Sequence, residues 1–254
     1  MRLEAGAYSS KGSVRTHNED CFLLARETGG CGTVDACASL SGNAESPCLF
    51  FVADGMGGHA AGDIASAFVV DNLSTILKPC EKIDADFLEE TVKGIHAKLV
   101  AEGNMQGTPN MGSTLAGLIL QTENPGFCNV GDSRVYRMRG GLIQQLSHDD
   151  SLSSLVPGVA KNIITNALGA GLAAITVECR FSEFMAVDGD MFLICSDGVH
   201  GFITDDDLEQ MLSVDKDPKH ISESIVKKAI ENNSDDNCTA VVVKIINMGD
   251  SNVQ

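Results

Sequence analysis

The sequence predicts an α+β fold, a four-layer αββα sandwich in which two antiparallel β-sheets are flanked by helices on both outer faces. Short apolar runs come in two batches along the chain, and a pair of amphipathic helical patterns follows each batch. Strands grouped in this way favour layered antiparallel sheets over a parallel array of alternating strands and helices. At 254 residues, the chain can bury a large core as one domain.

The first batch predicts short strands at residues 5–8 and 21–24 and a buried strand at 49–53, where the run LFFVA is uninterrupted. Residues 28–46 are rich in Gly, Ser, Ala and Cys without any period, which predicts a surface loop. Apolar residues then recur at helical spacing over 64–76 and 87–99. These two patterns predict helices that cover a sheet.

The second batch begins with predicted strands at 113–121, 127–130 and 134–138. A tight turn at Gly131-Asp132 joins the last two, and its length predicts that they are antiparallel neighbours. The pattern over 152–159 and 162–168 indicates two short helices.

The rest of the chain predicts strands at 176–181 and 191–195, helices at 208–212 and 221–230, and a last strand at 239–246. Thr204 and Asp207 form an approximate capping box at the start of the first of these helices.

Composition excludes several classes of partner and location. Eighteen basic residues against 35 acidic ones give a net charge of −17, which disfavours binding to nucleic acid or to an anionic membrane. The sequence has neither a signal-peptide pattern nor a membrane-spanning run, so we expect a cytoplasmic protein. Nine scattered cysteines without a C-x-x-C pair favour reduced, mostly buried thiols over a disulfide framework or a zinc site.

Four aspartates stand at strand ends or tight turns: Asp54, Asp132, Asp197 and Asp236. Two of them, Asp54 and Asp197, end apolar runs and are followed by glycine. If the fold brings these carboxylates together, their repulsion must be relieved by protons or cations. Oxygen ligands without Cys or His partners favour Mg²⁺ or Mn²⁺ over zinc.

Seven segments carry a resemblance to a known family. They are VRTHNED (14–20), VADGMGGHAAG (52–62), GSTLAG (112–117), NVGDSRVYRMRGG (129–141), NALG (166–169), LICSDG (193–198) and DDNCTAVVV (235–243). In this order they resemble the motifs of metal-dependent protein Ser/Thr phosphatases, the PPM or type 2C family, in its bacterial single-domain form. The resemblance implies a catalytic domain over residues 1–246, a central β-sandwich with a two-metal centre at one end, and a flexible tail over 247–254.

The resemblance also implies metal ligands. Asp54 matches the carboxylate that bridges two metal ions, and the Gly55 carbonyl matches a ligand of one of them. Asp197 and Asp236 match further ligands of the other ion. Asp132 matches a ligand that shares a third, weaker ion with Asp197.

Four more positions match functional residues of the family. Glu19 and Asp20 match acidic residues that act mainly through metal-bound waters, and the sequence does not rank them. Arg15 matches the arginine that grips the substrate phosphate, a task that suits its planar fork. His59 matches the proposed general acid. By contrast, His17, His148 and His200 are interpreted as surface or structural residues.

The implied activity is hydrolysis of phosphoserine and phosphothreonine in phosphorylated proteins, the products of Ser/Thr kinases, by a monomeric enzyme. Two Mn²⁺ or Mg²⁺ ions roughly 3.5–4 Å apart lower the pKa of a bridging water and direct the hydroxide in line at phosphorus, without a covalent intermediate.

Two departures from the family pattern concern the third ion and substrate selection. The chain has Asp149-Asp150-Ser151 where the family usually has Asp-His-Ser, and the flap, about residues 150–165, is short.

Three alternative functions stay open from the sequence. The stretch from Gly55 to Ala60 fits the dinucleotide fingerprint G-x-G-x-x-A, although Asp54 would then lie beside a pyrophosphate. The spacing Cys128-x5-Arg134 is that of cysteine-dependent phosphatases, but the residues that follow predict a strand rather than a helix. A non-catalytic phosphoprotein-binding relative would lack a principal ligand, and none of these ligands is missing.

Overall fold

The chain is described by a computed structural model over residues 1–24, 27–29, 36–43, 47–57, 61–152, 163–181 and 184–248. The helices are α1 (Gly62–Leu77), α2 (Ala85–Gln106), α3 (Asp197–His200), α4 (Asp205–Leu212) and α5 (Pro218–Glu231). The strands are β1 (Arg2–Ser10), β2 (Asp20–Leu24), β3 (Glu27–Gly29), β4 (Ala36–Asn43), β5 (Cys48–Met56), β6 (Gly112–Ser113), β7 (Leu115–Leu120), β8 (Gly126–Val130), β9 (Arg134–Arg139), β10 (Leu142–Gln145), β11 (Leu168–Gly169), β12 (Glu178–Arg180), β13 (Met191–Cys195) and β14 (Cys238–Asn247). Across these ranges, no helix combines the length and apolar character needed to cross a membrane.

The first sheet joins the two ends of the chain. Its strand order is β10-β9-β13-β14-β1-β4, and every pairing is antiparallel. Strand β14 lies between β13 and β1, with Leu193 opposite Val242 and Gly6 opposite the same valine on the other side. Its unbroken apolar run, AVVV, follows from this position because both faces of the strand are buried.

The second sheet is built around β5. Its strand order is β11-β6-β5-β7-β8-β12, and β2 pairs with the free side of β5 and with β3. Phe50 and Val52 point into the layer between the two sheets, whereas Leu49, Phe51 and Ala53 point to the helices on the other face. The uninterrupted apolar run of this strand therefore reflects burial on both faces.

Three buried clusters define four layers. One cluster lies between the sheets, one lies between the second sheet and the pair α1 and α2, and one lies between the first sheet and α3, α4 and α5. This arrangement confirms the predicted αββα sandwich. The predicted cap of α4 is also present, because the Thr204 side chain accepts a hydrogen bond from the Asp207 amide at 3.2 Å.

The loop predicted over residues 28–46 is wrong for the parts described. Residues 36–43 form β4, which pairs with β1 along eight residues at the edge of the first sheet, and 27–29 form β3. Ala36, Ala38 and Leu40 alternate toward the layer between the sheets, but the strand consists mostly of small residues, so this alternation is weak in the sequence.

The predicted pairing of 127–130 with 134–138 is also wrong. Strand β8 belongs to the second sheet and β9 to the first, so the turn between them crosses the sandwich. Gly131 adopts φ of 104°, and a Cβ there would lie 2.8 Å from the Thr114 side chain. Loop length alone does not distinguish such a crossing from a hairpin.

Two further expectations need correction. The helix predicted at 162–168 is absent from 163–168, which instead contain a bridge between Ser151 and Ile164 and the start of β11. Seven cysteines in the described ranges form no disulfide, as expected, but Cys21 is disulfide-bonded. The helix expected at 152–159, most of the flap at 150–165 and most of the tail at 247–254 lie outside the described residues.

Candidate metal centre

Five aspartates meet at one end of the sandwich because strands from both sheets end or begin there. Asp20 starts β2 and lies opposite Asp54 of β5 in the register of the second sheet. Asp132 sits in the turn that crosses between the sheets, Asp197 follows β13, and Asp236 precedes β14. The four aspartates predicted to come together therefore do so, and Asp20 joins them.

The electrostatics of the cluster reflect this convergence. The pKa of Asp54 is raised well above its ordinary value, first by burial and then by the charges of the other four aspartates. Burial, and after it the neighbouring aspartates, also raises the pKa of Asp20 and that of Asp132 to about 7. The pKa of Asp197 is raised by burial and by Asp236, although a side-chain hydrogen bond with Asp54 opposes the shift.

Unpartnered oxygens show that the cluster has the donor chemistry of a cation site. The Oδ1 atoms of Asp20, Asp132 and Asp197 are buried and have no hydrogen-bond partner in the part of the chain described here. Buried carboxylate oxygens of this kind require a proton or a cation. An all-oxygen donor set fits Mg²⁺ or Mn²⁺.

The carboxylates of the cluster are partly occupied by protein partners. Asp54 is hydrogen-bonded to Asp197, and Asp236 Oδ2 accepts a hydrogen bond from Arg15 Nη2 at 2.7 Å. Accordingly, within the described ranges no three carboxylate, imidazole or thiol groups converge on a common point. Protein partners thus occupy oxygens of Asp54, Asp197 and Asp236 in this structure.

The structure distinguishes Asp20 from Glu19. Asp20 is buried, and its Oδ2 accepts a hydrogen bond from Ser196 Oγ at 2.7 Å while Oδ1 stays unpartnered. Glu19 turns toward the start of α1, where a Cβ on Gly62 would overlap its carboxylate. The Asp20 side chain thus belongs to the cluster, and the Glu19 side chain lies at its rim.

Backbone packing places Gly55 directly beside the cluster. The Gly55 amide donates to the Glu19 carbonyl at 3.1 Å, and a Cβ at this position would overlap the carbonyl oxygen of Gly62. Only glycine allows α1 to approach β5 this closely. His59, the predicted general acid, lies outside the described residues.

A cavity of about 350 Å³ opens beside the cluster. Arg15, which is half exposed, stands at its edge, where its Nε donates to the Asp235 carbonyl at 3.1 Å. The cavity is lined by Arg15, Asp132, Arg134, Asp149, Ser151, Asp197, His200, Gly201, Phe202, Asp235 and Asp236.

Several residues of this cavity were missed in the sequence. Arg134 binds Asp149 through both Nε and Nη2, with Nη2 to Oδ2 at 2.7 Å, and donates to Tyr136 Oη at 2.7 Å. His200, interpreted as structural, lies against the cluster with Nε2 2.9 Å from the Asp132 carbonyl oxygen. Arg134 could have been found, because it follows Asp132 within the resembling segment, whereas His200 gives no sequence signal.

Two of the alternative functions do not fit this geometry. Burial raises the pKa of the Cys128 thiol well above its ordinary value, and Arg134 is engaged by Asp149, so neither group is arranged for cysteine-dependent catalysis. A dinucleotide-binding unit has parallel strands and an acidic residue about 20 positions after its glycines, at the end of a second strand. Here β5 has antiparallel neighbours, and the acidic residue at that distance, Asp71, lies within α1, which excludes such a unit.

Comparison with known proteins identifies the family. A family model for Protein phosphatase 2C matches residues 27–232. The serine/threonine phosphatase stp of Listeria monocytogenes is 28% identical over 95% of this chain and 96% of its own length. The solved catalytic domain of the serine/threonine protein phosphatase PstP, in complex with two manganese ions, is 26% identical over 97% of this chain and 99% of its own, with a TM-score of 0.78. PppA of Pseudomonas aeruginosa is 29% identical over 96% of this chain and 98% of its own, with a TM-score of 0.77.

Taken together, the αββα sandwich, the family model and these relatives define a metal-dependent phosphatase. The chain belongs to the protein phosphatase 2C family, and it is a metal-dependent serine/threonine protein phosphatase that acts on phosphorylated proteins. The predicted family, fold, enzyme class and use of divalent metal ions are thereby confirmed.

Proposed function

We propose that the aspartate cluster is the catalytic centre at which phosphoserine and phosphothreonine esters are hydrolysed. The observation that carries this proposal is the convergence of five aspartates from both sheets, three of which have a buried oxygen without a partner in the described part of the chain. Several buried carboxylates in contact are unfavourable unless cations neutralise them.

Asp54, Asp197 and Asp236 would hold two divalent ions, together with the carbonyl of Gly55. When bound, such ions supply Lewis acidity and bring the pKa of a water toward neutrality, which provides a nucleophile at physiological pH. The choice between Mn²⁺ and Mg²⁺ is open, and Mn²⁺ is the first to test because PstP was solved with two manganese ions.

The other acidic residues take supporting parts in the proposal. Asp20 directs its unpartnered oxygen into the cluster because the Ser196 hydroxyl holds the other one. Glu19 acts from the rim through solvent. Asp132 shares a third, weaker ion with Asp197, in keeping with its own unpartnered oxygen.

Arg15 would bind the substrate phosphate. Its guanidinium stands at the mouth of the cavity, half exposed, and Nη2 already binds an anionic group, the Asp236 carboxylate. A planar fork of donors matches phosphate oxygens in pairs, which a lysine ammonium does not.

His59 would protonate the leaving serine or threonine oxygen. This role rests on the sequence, where His59 follows the glycines after Asp54. Proton donation to a poor leaving group accelerates such a reaction by about 10²–10⁴.

Restoration of metal to stripped protein tests the proposal. Purified chain is treated with a chelator, and hydrolysis of a phosphothreonine peptide is measured after addition of Mn²⁺ or Mg²⁺, with a parallel sample treated with iodoacetamide. We expect activity that requires the ion and survives alkylation. Activity without metal that alkylation abolishes would overturn the proposal, and so would an inactive chain with every ion.

Substitution of His59 by Ala tests the acid. The variant should lose far more activity on a phosphopeptide than on an aryl phosphate, because an aryl leaving group needs no proton. Equal losses on both substrates would remove His59 from this role.

The partners of the enzyme follow from the same family. We propose that its substrates are products of Ser/Thr kinases and that it acts as a monomer, which light scattering of the active protein can check. The cytoplasmic location stays a prediction from composition.

A further inference from the structure

The turn that carries Asp132 is held by a side chain from another part of the chain. The Gly131 amide donates to Asp150 Oδ2 at 3.0 Å, and the Asp150 amide donates back to the Gly131 carbonyl at 2.9 Å. This reciprocal pair fixes both backbone groups of the residue before Asp132. Asp150 is also the residue at which the chain departs from the Asp-His-Ser pattern.

A second side chain locks the Asp150 carboxylate in place. Asn166 Nδ2 donates to the same Oδ2 atom at 2.6 Å and to the Thr176 carbonyl at 2.7 Å. In addition, the Thr165 amide donates to the Asp150 carbonyl at 2.8 Å. The carboxylate is therefore held by the segment after residue 162 on one side and holds the Asp132 turn on the other.

The far side of the turn has its own supports. His200 Nε2 lies 2.9 Å from the Asp132 carbonyl oxygen, an atom that can only accept, so the ring nitrogen donates. Ser133 Oγ and Thr114 Oγ1 are 2.8 Å apart, and Thr114 Oγ1 accepts from the Asp54 amide at 3.0 Å. Loss of Asp150 alone should therefore leave the turn folded but less exactly placed.

From this geometry we propose that Asp150 is a positioning residue, which fixes the Gly131-Asp132 turn and thereby sets the affinity of the weakest cation site. The inference rests on the proposed function, in which Asp132 is a ligand of that site. Outer partners that orient a ligand typically change metal affinity by about 10–100-fold. Asp150 acts through hydrogen bonds rather than through its charge.

Calorimetric titration of the chelator-stripped full chain with Mn²⁺ tests this inference. Wild type is compared with Asp132→Asn, Asp150→Ala and Asp150→Asn. We expect Asp132→Asn to abolish the weakest binding step, and Asp150→Ala to weaken that step by about 10–100-fold without changing the tighter steps. Asp150→Asn should stay close to wild type, because an amide oxygen accepts both hydrogen bonds.

Three other outcomes of these titrations would show whether the inference about Asp150 or the proposed role of Asp132 is wrong. If Asp132→Asn removes the weakest step but Asp150→Ala leaves it intact, the inference is overturned and the proposed function stands. If Asp150→Asn is as weak as Asp150→Ala, the charge matters and positioning is refuted. If Asp132→Asn binds like wild type, Asp132 is no ligand, and both the inference and that part of the proposed function fall.

Two controls separate this effect from general loss of stability. Asp190→Ala removes a buried carboxylate from the opposite end of β13, and it should leave all Mn²⁺ steps unchanged. Asn166→Ala releases the Asp150 carboxylate without touching the cluster, and it should weaken the last step in the same direction. Should Asp150→Ala fail to fold, an unchanged last step in Asn166→Ala would overturn the inference.

Discussion

An aspartate stands at each end of strand β13, and the surroundings of the two carboxylates are opposite. At the start of the strand, Asp190 Oδ1 and Oδ2 each accept a hydrogen bond from Arg139 at 2.6 Å. Beyond its end, Asp197 faces other carboxylates and keeps one oxygen without a partner in the described structure. A buried carboxylate with a matched guanidinium is a structural element, whereas one surrounded by carboxylates has the properties of a ligand.

The same contrast applies to the arginines at the two ends. Arg139 is committed to Asp190 and also donates to the Met185 carbonyl at 2.8 Å. Arg15 contacts Asp236 through one nitrogen and is half exposed at the cavity. The first arginine stabilises the fold, and the second is placed to exchange its partner.

We expect the largest effect from a substitution at the acidic end of the sandwich, the end at which Asp20, Asp54, Asp132, Asp197 and Asp236 meet. Asp54→Asn should lower phosphatase activity by about 10³-fold or more, since a bound ion contributes several kcal/mol and each 1.4 kcal/mol is tenfold in rate. Without divalent ions, the same variant should be more stable than wild type by about 1–2 kcal/mol, because the folded chain no longer holds a carboxyl whose ionised form is unfavourable there. Activity assays and thermal melts check both. If Asp54→Asn were less stable than wild type without divalent ions, the carboxylates of the cluster would stabilise the fold as Asp190 does, and the difference between the two ends would be refuted.

Stability should depend on pH in a direction set by the acidic end. The pKa of Asp20 and that of Asp132 lie at about 7 in the folded chain, above the ordinary value of 3.8. Between these values the folded chain keeps protons that the unfolded chain has released, so without divalent ions the free energy of unfolding falls as pH rises from about 4 to 7. At about 1.4 kcal/mol per pKa unit, the loss is on the order of 4 kcal/mol for each of the two carboxyls.

Bound cations should replace those protons. Melting temperatures at pH 5, 6, 7 and 8, with chelator and with Mn²⁺, measure the effect, and the stabilisation by Mn²⁺ should grow with pH. Melting temperatures in chelator that rise steadily across this range would show that the carboxylates are already ionised without penalty.

At the other end of β13, where Asp190 binds Arg139, loss of the carboxylate should lower stability and leave activity unchanged. Asp190→Ala leaves Arg139 without its partner and should destabilise the chain by about 2 kcal/mol. For a chain of this size, that lowers the melting temperature by about 4–8 °C. Phosphatase activity at saturating Mn²⁺ should not change below the melting transition. A tenfold loss of activity would mean that the two ends are coupled.

The smallest effect distinguishes the two arginines. Arg15→Lys should reduce kcat/KM on a phosphothreonine peptide by about tenfold, because a single ammonium cannot bind two phosphate oxygens in the plane of a fork. Arg139→Lys should leave kcat/KM unchanged and lower the melting temperature instead. Equal kinetic effects of the two variants would refute a substrate-binding role for Arg15.

Much of the fold and of the aspartate cluster could be predicted from the sequence, because buried strands and helices leave apolar patterns in it. Strand β13 matches its prediction at 191–195, because it is covered on both faces and therefore reads as a continuous apolar run. Asp54 and Asp197 end such runs, and Asp236 comes just before one, so their positions at strand ends were visible as well. Helices α1 and α2 were predictable from their apolar stripes.

The features that could not be predicted from the sequence depend on contacts of the backbone. The hydrophobic period of strand β4 is weak because it is an edge strand of mostly small residues, and the crossing at Gly131 is indistinguishable from a hairpin by length. The side chains of Asp150 and His200 form hydrogen bonds with the backbone of the Gly131-Asp132 turn, and bonds of this kind produce no recognisable pattern in the sequence. Only the departure from the Asp-His-Ser pattern drew notice to Asp150.

The most direct test of the metal centre is a calorimetric titration with Mn²⁺, at one pH, of the chelator-stripped wild-type chain, Asp54→Asn and Asp190→Ala. The claim is that the end of the sandwich near Asp54 binds the catalytic ions and that the end near Asp190 does not. We predict tight binding of two ions to wild type and to Asp190→Ala, and loss of that binding in Asp54→Asn. Unchanged binding in Asp54→Asn would contradict the assignment of the metal centre.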